Sequence, residues 1–194
     1  VIGDCLHSLF NPLERTISLP DISIDLSKVN RLNIVACGTS YYAGLVARYW
    51  FEEIAGLPVD LDVASEYRYR KVPQQEQVLG LFISQSGETA DTLAALRYAR
   101  ESGQTSLSVV NVAESSMSRE SDGILQTLAG PEIGVASTKA FTTQLVTLAT
   151  LAIAVGRARG FLEREKEEEI VSALIEVPSR AAEVLNHDEA LRDL

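Results

Sequence analysis

The segment Ser84 to Thr89, SQSGET, has the residue types needed to hold a phosphate monoester. It directly follows a continuous apolar run and directly precedes a helical pattern, so free backbone N–H groups and the positive end of a helix dipole would face a bound anion. Gly87 allows close approach of the backbone, and polar side chains come from Ser84, Gln85, Ser86 and Thr89. The alternative is that Ser86 or Thr89 only caps the helix, but a cap needs one hydroxyl rather than three together with an amide.

Two further segments carry hydroxyl groups between a strand pattern and a helix pattern. Thr39 and Ser40 lie in the first, CGTS, and Ser137 lies in the second, GVASTK. In the second segment, Ser137 or Thr138 could equally serve as a helix cap and Lys139 as a surface charge. Open parallel α/β sheets bind ligands where strand ends lead into helix starts. Three hydroxyl-bearing loops at such positions favour a polyol with several oxygens to satisfy.

Other kinds of site are poorly represented in the sequence. It has no GxxxxGK[ST] loop, no GxGxxG before a helix and no cysteine–histidine cluster, so we expect no ATP, no NAD, no metal and no cofactor. The two histidines, His7 and His187, lie in the terminal arms and are interpreted as surface residues. Glu66, Arg68 and Arg70 of SEYRYR could be a catalytic acid and phosphate clamps, but a solvated turn or a set of interface salt bridges is favoured.

Composition indicates one soluble globular domain. The chain has 194 residues, 46% hydrophobic and 23% charged, and its net charge of −10 disfavours a nucleic-acid partner. Cys5 in a helical pattern and Cys37 as a small buried residue at a strand end predict a reducing, cytoplasmic setting. No signal peptide is evident, and the longest apolar stretch, 145–155, is too short to span a bilayer, so no membrane partner is expected. The missing initial Met and the abrupt end predict a piece of a longer polypeptide.

Short apolar runs that alternate with helical periodicity predict a parallel sheet covered on both faces. We expect strands at 32–36, 59–63, 78–83, 107–112 and 124–128, and helices at 41–55, 88–102, 115–121 and 137–160. Continuous apolar strands joined by helical crossovers are typical of α/β proteins. The predicted fold class is therefore a three-layer, doubly wound, flavodoxin-like domain with a mostly parallel sheet.

The two ends of the chain lack this alternation. Residues 1–27 show no clear strand pattern and are expected to form an arm or linker. Residues 161–194 are expected to form one or two helices broken near Pro178. The predicted domain therefore spans 28–160.

Four segments together resemble a known family. ACGTSYYAGLVARYWFE, ASEYRYR, ISQSGETADTLAALR and GPEIGVASTKAFTTQL are similar, in order and spacing, to the first sugar-isomerase (SIS) subdomain of the glutamine:fructose-6-phosphate amidotransferases, or glucosamine-6-phosphate synthases. The resemblance extends from about Asn33 to Gln144 and more loosely to Leu194. SQSGET alone indicates only the broader SIS family, whereas EIGVASTKAFTTQ with ASEYRYR points to the synthases.

This resemblance implies a function for the parent polypeptide. The family joins a glutaminase domain to two SIS subdomains and makes glucosamine 6-phosphate from fructose 6-phosphate and glutamine. It implies that this chain binds those sugar phosphates, with the phosphate held by Ser84, Gln85, Ser86 and Thr89 and the sugar contacted by Thr39, Ser40, the backbone of Val135, and Ser137. The family's catalytic glutamate, histidine and lysine lie in the second SIS subdomain or the C-terminal tail. We therefore expect no catalytic residue here and no turnover by this chain alone.

Two alternatives stay open, a regulatory SIS module that reports a sugar phosphate to a DNA-binding domain and a stand-alone phosphosugar isomerase. Residues 1–27 show no basic recognition helix, which disfavours the first, and the second would need its own catalytic glutamate and histidine. SIS subdomains of the family pair with one another. Leu151 and Ile153 extend the apolar surface of the long helix beyond one stripe, so we also expect a homodimer, besides the missing second SIS and glutaminase domains.

Overall fold

The protein is described by a computed structural model that covers residues 1–11, 14–71, 76–133, 137–186 and 192. Its elements in chain order are α1 (Ile2–His7), β1 (Phe10–Asn11), β2 (Thr16–Ile17), β3 (Arg31–Ala36), α2 (Gly38–Ala55), β4 (Val59–Val63), α3 (Ala64–Tyr67), β5 (Val78–Ser84), α4 (Ala90–Glu101), β6 (Thr105–Val110), α5 (Ser116–Glu120), β7 (Gly123–Gln126), α6 (Lys139–Ala158) and α7 (Arg164–Leu185). A single 3₁₀ turn precedes β3.

Five parallel strands form the central sheet in the order β4-β3-β5-β6-β7. Numbered along the chain, these strands have the order 2-1-3-4-5 that defines flavodoxin-like sheets. The predicted fold class is therefore confirmed.

Alternate side chains of each strand enter two separate cores, as the two-residue period of a strand requires. On β5, Leu81 and Ile83 pack in the core that α2 and α6 cover, whereas Phe82 packs in the core formed with α3, α4 and α5. Both faces of the sheet are thus covered, which explains why its strands are continuous apolar runs.

The predicted strands and helices are all present, with shifted ends in two informative places. α2 begins at Gly38, inside the segment that the sequence suggested was a loop, and Cys37 is its half-buried N-cap rather than a buried residue. β6 stops at Val110 instead of 112, and the side chain of the next residue, Asn111, bonds the segment that follows β7. Its Nδ2 donates to the carbonyl of Gly130 at 2.8 Å, and its Oδ1 accepts from the N–H of Ala129 at 2.7 Å.

The terminal arms pack on the domain through α6 and α7. The N-terminal arm contains a short antiparallel hairpin, β1 with β2, that the sequence pattern did not indicate. Arg157, on α6, joins both arms to the domain, because its guanidinium contacts Glu167 Oε1 of α7 at 2.7 Å and the carbonyl of Ile17 in β2 at 2.8 Å. The predicted break near Pro178 is wrong, since α7 continues through it. Pro178 leaves the carbonyl of Leu174 without its helical N–H partner; Leu174 is half-buried, but residues 175–177 are exposed, so solvent can reach this turn of the helix.

α6 is the core helix of one layer. Within the described ranges it alone is long and apolar enough to cross a membrane by length and composition, but 78% of its apolar window is buried inside the protein. Leu151 and Ile153 are fully buried, and Ile153 packs against Ile17 and Val171. These two residues therefore do not form the docking surface that the sequence suggested.

Candidate functional site

The predicted ligand loops meet where the strand order reverses. β3 and β5 lie side by side, with Ala36 opposite Ile83, and the chain leaves them toward opposite edges of the sheet. Thr39 and Ser40 lie in the first turn of α2, directly after β3, and Ser84 closes β5. This crevice at the carboxyl ends of the strands is where doubly wound sheets bind ligands.

The SQSGET loop is held together by its own hydroxyl groups. Ser84 Oγ lies 2.9 Å from Thr89 Oγ1 and accepts the N–H of Gly87 at 3.0 Å. Ser86 Oγ accepts the N–H of Glu88 at 3.1 Å. Two of the backbone N–H groups expected to be free are therefore already bonded inside the loop, which corrects the prediction that they face an anion.

The N-terminus of α4 nevertheless remains open. Thr89 occupies the N-cap position but makes no side-chain bond to the helix, because its hydroxyl lies against Ser84. The first-turn N–H groups of any helix lack partners within the helix, and here no N-cap side chain serves them. A capping role therefore does not account for Thr89. Gln85, half-buried, contributes its carbonyl to the N–H of Asn111 at 3.0 Å, which ties the loop to the end of β6.

Gly87 is the residue at which the loop contacts α5. Its φ is +66°, and a Cβ there would lie 2.0 Å from Ser115 Oγ. The Gly87 carbonyl accepts the N–H of Met117 at 3.1 Å, and Glu88 Oε1 accepts the N–H of Ser116 at 2.7 Å. The hydrogen bond from the Ser116 backbone, and after it a hydrogen bond from the Ser116 side chain, lower the pKa of the Glu88 carboxyl. Glu88 thus caps α5 instead of facing the ligand crevice.

Ser40 and Thr39 differ in their surroundings. Thr39 is exposed at the start of α2, whereas Ser40 is buried and its Oγ accepts a hydrogen bond from Gln144 Nε2 at 2.9 Å. Gln144 lies on α6 and is buried as well. No pattern in the sequence indicates this contact, because the two residues are 104 positions apart along the chain.

The third loop is described in part. Val135 lies outside the described residues, while Ser137 Oγ is buried without a hydrogen-bond partner in the described part of the chain. The N-cap residue of α6, Thr138, makes no side-chain cap bond; instead Glu132 Oε2 accepts the N–H of Ala140 at 3.1 Å. The capping alternative for Ser137 and Thr138 therefore fails, since the preceding acidic residue takes that role.

The charged SEYRYR segment contains intrachain ion pairs. Arg70 contacts Asp62 at 2.8 Å, and Arg68 lies 3.8 Å from Asp91. Burial raises the pKa of Asp62, and Arg70 opposes that shift. The exposed arginines thus pair with carboxylates of the same chain, which fits a solvated turn, while an interface role stays a prediction. His7 lies exposed on α1, with Nδ1 2.7 Å from the carbonyl of Gly3, and His187 lies outside the described residues.

A cleft of about 500 Å³ opens at the opposite, amino edge of the sheet. Arg31, Asn33, Tyr67, Tyr98 and Gln104 are among its lining residues. Arg70 lines it, but among the described residues none of those predicted to hold the phosphate or the sugar does, and ligands of this fold class bind at the other edge. The hydroxyl-bearing loops between β3 and β5 therefore remain the candidate site.

Comparisons with known proteins agree with this geometry. The chain is 54% identical over its whole length to a glutamine-fructose-6-phosphate aminotransferase [isomerizing] of Zymomonas mobilis, and 58% identical over 88% of its length to the protein of that name from Mesorhizobium japonicum. It spans 32% and 28% of those relatives, about a third of their length. Among solved structures, the C-terminal domain of glucosamine-fructose-6-phosphate aminotransferase from Francisella tularensis superposes with a TM-score of 0.91 at 38% identity, covering 97% of this chain and 54% of that one.

The resemblance drawn from the sequence motifs is confirmed by these relatives. A profile of the SIS domain matches residues 25–154, which is more than half of the chain and contains the whole parallel sheet with all three ligand loops. With the flavodoxin-like strand order and the hydroxyl-rich crevice at its switch point, the match shows that this chain belongs to the SIS domain family.

Proposed function

We propose that this chain binds a hexose phosphate, fructose 6-phosphate or glucosamine 6-phosphate, in the crevice between β3 and β5. Ser84, Gln85, Ser86 and Thr89 hold the phosphate. The sugar is contacted by Thr39, Ser40, the backbone of Val135, and Ser137. The binding domain spans 28–160, with 1–27 as an arm and 161–194 as a helical connection to further domains.

The observation that carries this proposal is the direction of the hydrogen bonds in the SQSGET loop. A serine hydroxyl has a single hydrogen, and the oxygens of Ser84 and Ser86 already accept backbone N–H groups. Those hydroxyls are therefore left to donate, as a phosphate requires. One of the two hydroxyls of Ser84 and Thr89 donates to the other across 2.9 Å. The hydroxyl that accepts keeps its own hydrogen for the ligand. The open N-terminus of α4 adds favourable dipole charge beside them.

The parent polypeptide, by this proposal, is a cytoplasmic glutamine-fructose-6-phosphate aminotransferase that makes glucosamine 6-phosphate for amino-sugar synthesis. The relatives of that name are about three times as long as this chain. The groups of the site described above are hydroxyls, amides and backbone N–H groups, which bind and orient but are weak proton-transfer groups near neutral pH. We therefore expect this chain to bind the sugar and the second SIS domain and the glutaminase domain of the parent to supply the chemistry.

Calorimetric titration with fructose 6-phosphate and glucosamine 6-phosphate tests the site directly. A hydrogen bond to a charged group contributes about 1.5–3 kcal/mol, so Ser86→Ala and Thr89→Ala should each weaken binding by about tenfold or more. Ser172→Ala is the matched control, because that exposed hydroxyl lies on α7 and bonds only the carbonyl of Glu168. Saturable binding that is unaffected by either loop substitution would place the phosphate elsewhere.

Pairing with a second copy of the chain is the other part of the proposal. α2 carries four large apolar side chains that face solvent, Tyr42, Leu45, Val46 and Tyr49, with Tyr42 and Tyr49 59% and 65% exposed. Their spacing puts them on one face of the helix, next to the ligand crevice. A two-fold interface brings the same patch of both copies together, and one helix face of this kind satisfies that requirement.

Sedimentation velocity at micromolar concentration tests this interface. The unmodified chain should sediment as a dimer, and Tyr42→Lys with Tyr49→Lys should convert it to a monomer. Val184→Lys, a similar change at an exposed apolar residue of α7, is the control and should leave the dimer intact. A monomeric unmodified chain would contradict the proposal.

A further inference from the structure

Gln144 is a buried amide in which the nitrogen has a hydrogen-bond partner and the oxygen, among the described residues, has none, an arrangement that does not favour the folded state. Its side chain is 1% exposed, and its Nε2 donates to Ser40 Oγ at 2.9 Å. Its Oε1 is buried and has no hydrogen-bond partner in the described part of the chain. Buried polar groups are normally paired, and an unpaired buried carbonyl is unfavourable. The amide is thus retained for what its nitrogen does.

The bond from Gln144 fixes the role of the Ser40 hydroxyl. An amide nitrogen only donates, so Ser40 Oγ is the acceptor and its own hydrogen must point elsewhere. Within the described ranges, Gln144 is the one hydrogen-bond partner found for Ser40 Oγ. Ser40 lies in the first turn of α2, at the crevice between β3 and β5. A donor with no acceptor among the described residues therefore lies beside the place where we propose that a sugar phosphate binds.

We propose that Gln144 is a positioning residue, which directs the Ser40 hydroxyl hydrogen toward an oxygen of the bound sugar phosphate. This inference rests on the function proposed above. It also gives α6 a part in the site, because Gln144 lies on that helix and Ser40 on α2. The bond joins α6 to the first turn of α2, at the crevice.

Substitutions of Gln144 separate this role from a structural one. Gln144→Met keeps the length of the side chain but removes both the donor and the unpaired carbonyl. We expect it to leave the melting temperature of the unliganded chain unchanged or higher, while fructose 6-phosphate binds about threefold to tenfold more weakly. Gln144→Glu also keeps the shape, but its carboxylate accepts the Ser40 hydrogen and turns it away from the crevice, so its loss of affinity should be larger than that of Gln144→Met.

A double-mutant cycle with Ser40→Ala is the decisive experiment. Affinity for fructose 6-phosphate is measured by calorimetry for the unmodified 194-residue chain, Ser40→Ala, Gln144→Met and the double variant. If Gln144 acts through Ser40, then Gln144→Met has little further effect once the hydroxyl is absent. Gln104→Met is the control for the exchange itself, because that amide lies at the opposite edge of the sheet, bonded to Tyr67.

Three results overturn the inference, and they differ from failure of the proposed function. Additive effects in the cycle show that Gln144 acts independently of Ser40. A lowered melting temperature that parallels the lost affinity shows a structural role. Unchanged affinity of Gln144→Glu shows that the direction of the bond is irrelevant. Absence of binding by the unmodified chain would instead refute the proposed function itself.

Discussion

Gly87→Ala should destabilise the chain more than an ordinary substitution of a left-handed glycine. The φ of Gly87 is +66°, and placing a residue with a Cβ in that region costs about 1–2 kcal/mol. The new Cβ would in addition lie 2.0 Å from Ser115 Oγ and 2.5 Å from Ser115 Cβ. Ser115 is 1% exposed and cannot swing away into solvent, so repacking should add about 1–3 kcal/mol. The expected total is about 2–5 kcal/mol.

Gly103→Ala isolates the steric part of this effect. Gly103 also has a positive φ, +79°, but no atom lies within 4 Å of the position of its Cβ. Its substitution should therefore reduce the free energy of unfolding by only about 1 kcal/mol. Urea denaturation followed by circular dichroism compares the two variants, and Gly87→Ala combined with Ser115→Gly should recover the steric part. Equal destabilisation by Gly87→Ala and Gly103→Ala would refute the argument that Ser115 excludes a side chain from the loop.

Two further predictions concern carboxylates outside the ligand crevice. Glu167→Gln removes the charge of the carboxylate that pairs with Arg157. The carboxylate is 2% exposed, but Arg157 is 42% exposed and screened by solvent, so the free energy of unfolding should fall by about 2 kcal/mol. Glu169→Gln, in an exposed pair, should change it by less than about 1 kcal/mol, and similar losses in urea denaturation would contradict this ranking. The lowered pKa of Glu88 predicts stability that is present above its ordinary pKa of about 4.3 and lost as the pH falls through the lower folded value. Urea titrations at several pH values should show Glu88→Gln less stable than the unmodified chain at neutral pH, with the difference disappearing in acid; a difference independent of pH would contradict the tether to Ser116.

The sheet could be predicted from the sequence because each strand carries its own local signal. Val78 to Ile83 is a continuous apolar run, since both faces of β5 are buried, and no amphipathic alternative competes with that pattern. General rules leave two common orders for a doubly wound sheet, and the flavodoxin-like prediction selects 2-1-3-4-5. That order places Ser84 and Ser40 at the crevice, so the residues of the candidate site could be predicted from the sequence.

The supporting contacts could not be predicted, because they join residues distant in the chain. Gln144 reaches Ser40 across 104 positions, and Asn111 holds Gly130 and Ala129 after an intervening helix and strand. A glutamine or an asparagine in a sequence carries no indication of which distant group it will bond. At Pro178 the local signal was strong but misleading. A proline predicts a break in the helix, yet α7 continues through it, because solvent can reach the turn before the proline.

The candidate site reconciles anion binding with an acidic chain. A net charge of −10 gives a field that repels a phosphate at long range, so attraction must come from groups in contact with it. Ser86 and Ser40 have their oxygens occupied by N–H donors of the protein, which leaves their hydrogens for whatever enters the crevice, and the bonded pair of Ser84 and Thr89 has one further hydrogen left for it. Such donors recognise an oxyanion by geometry, and they can equally bond a neutral sugar hydroxyl nearby, because its oxygen also accepts hydrogen bonds. A site lined by hydroxyl donors therefore suits a ligand that is anionic at one end and polar along the rest, whereas a site built on a lysine ammonium would bind any phosphate.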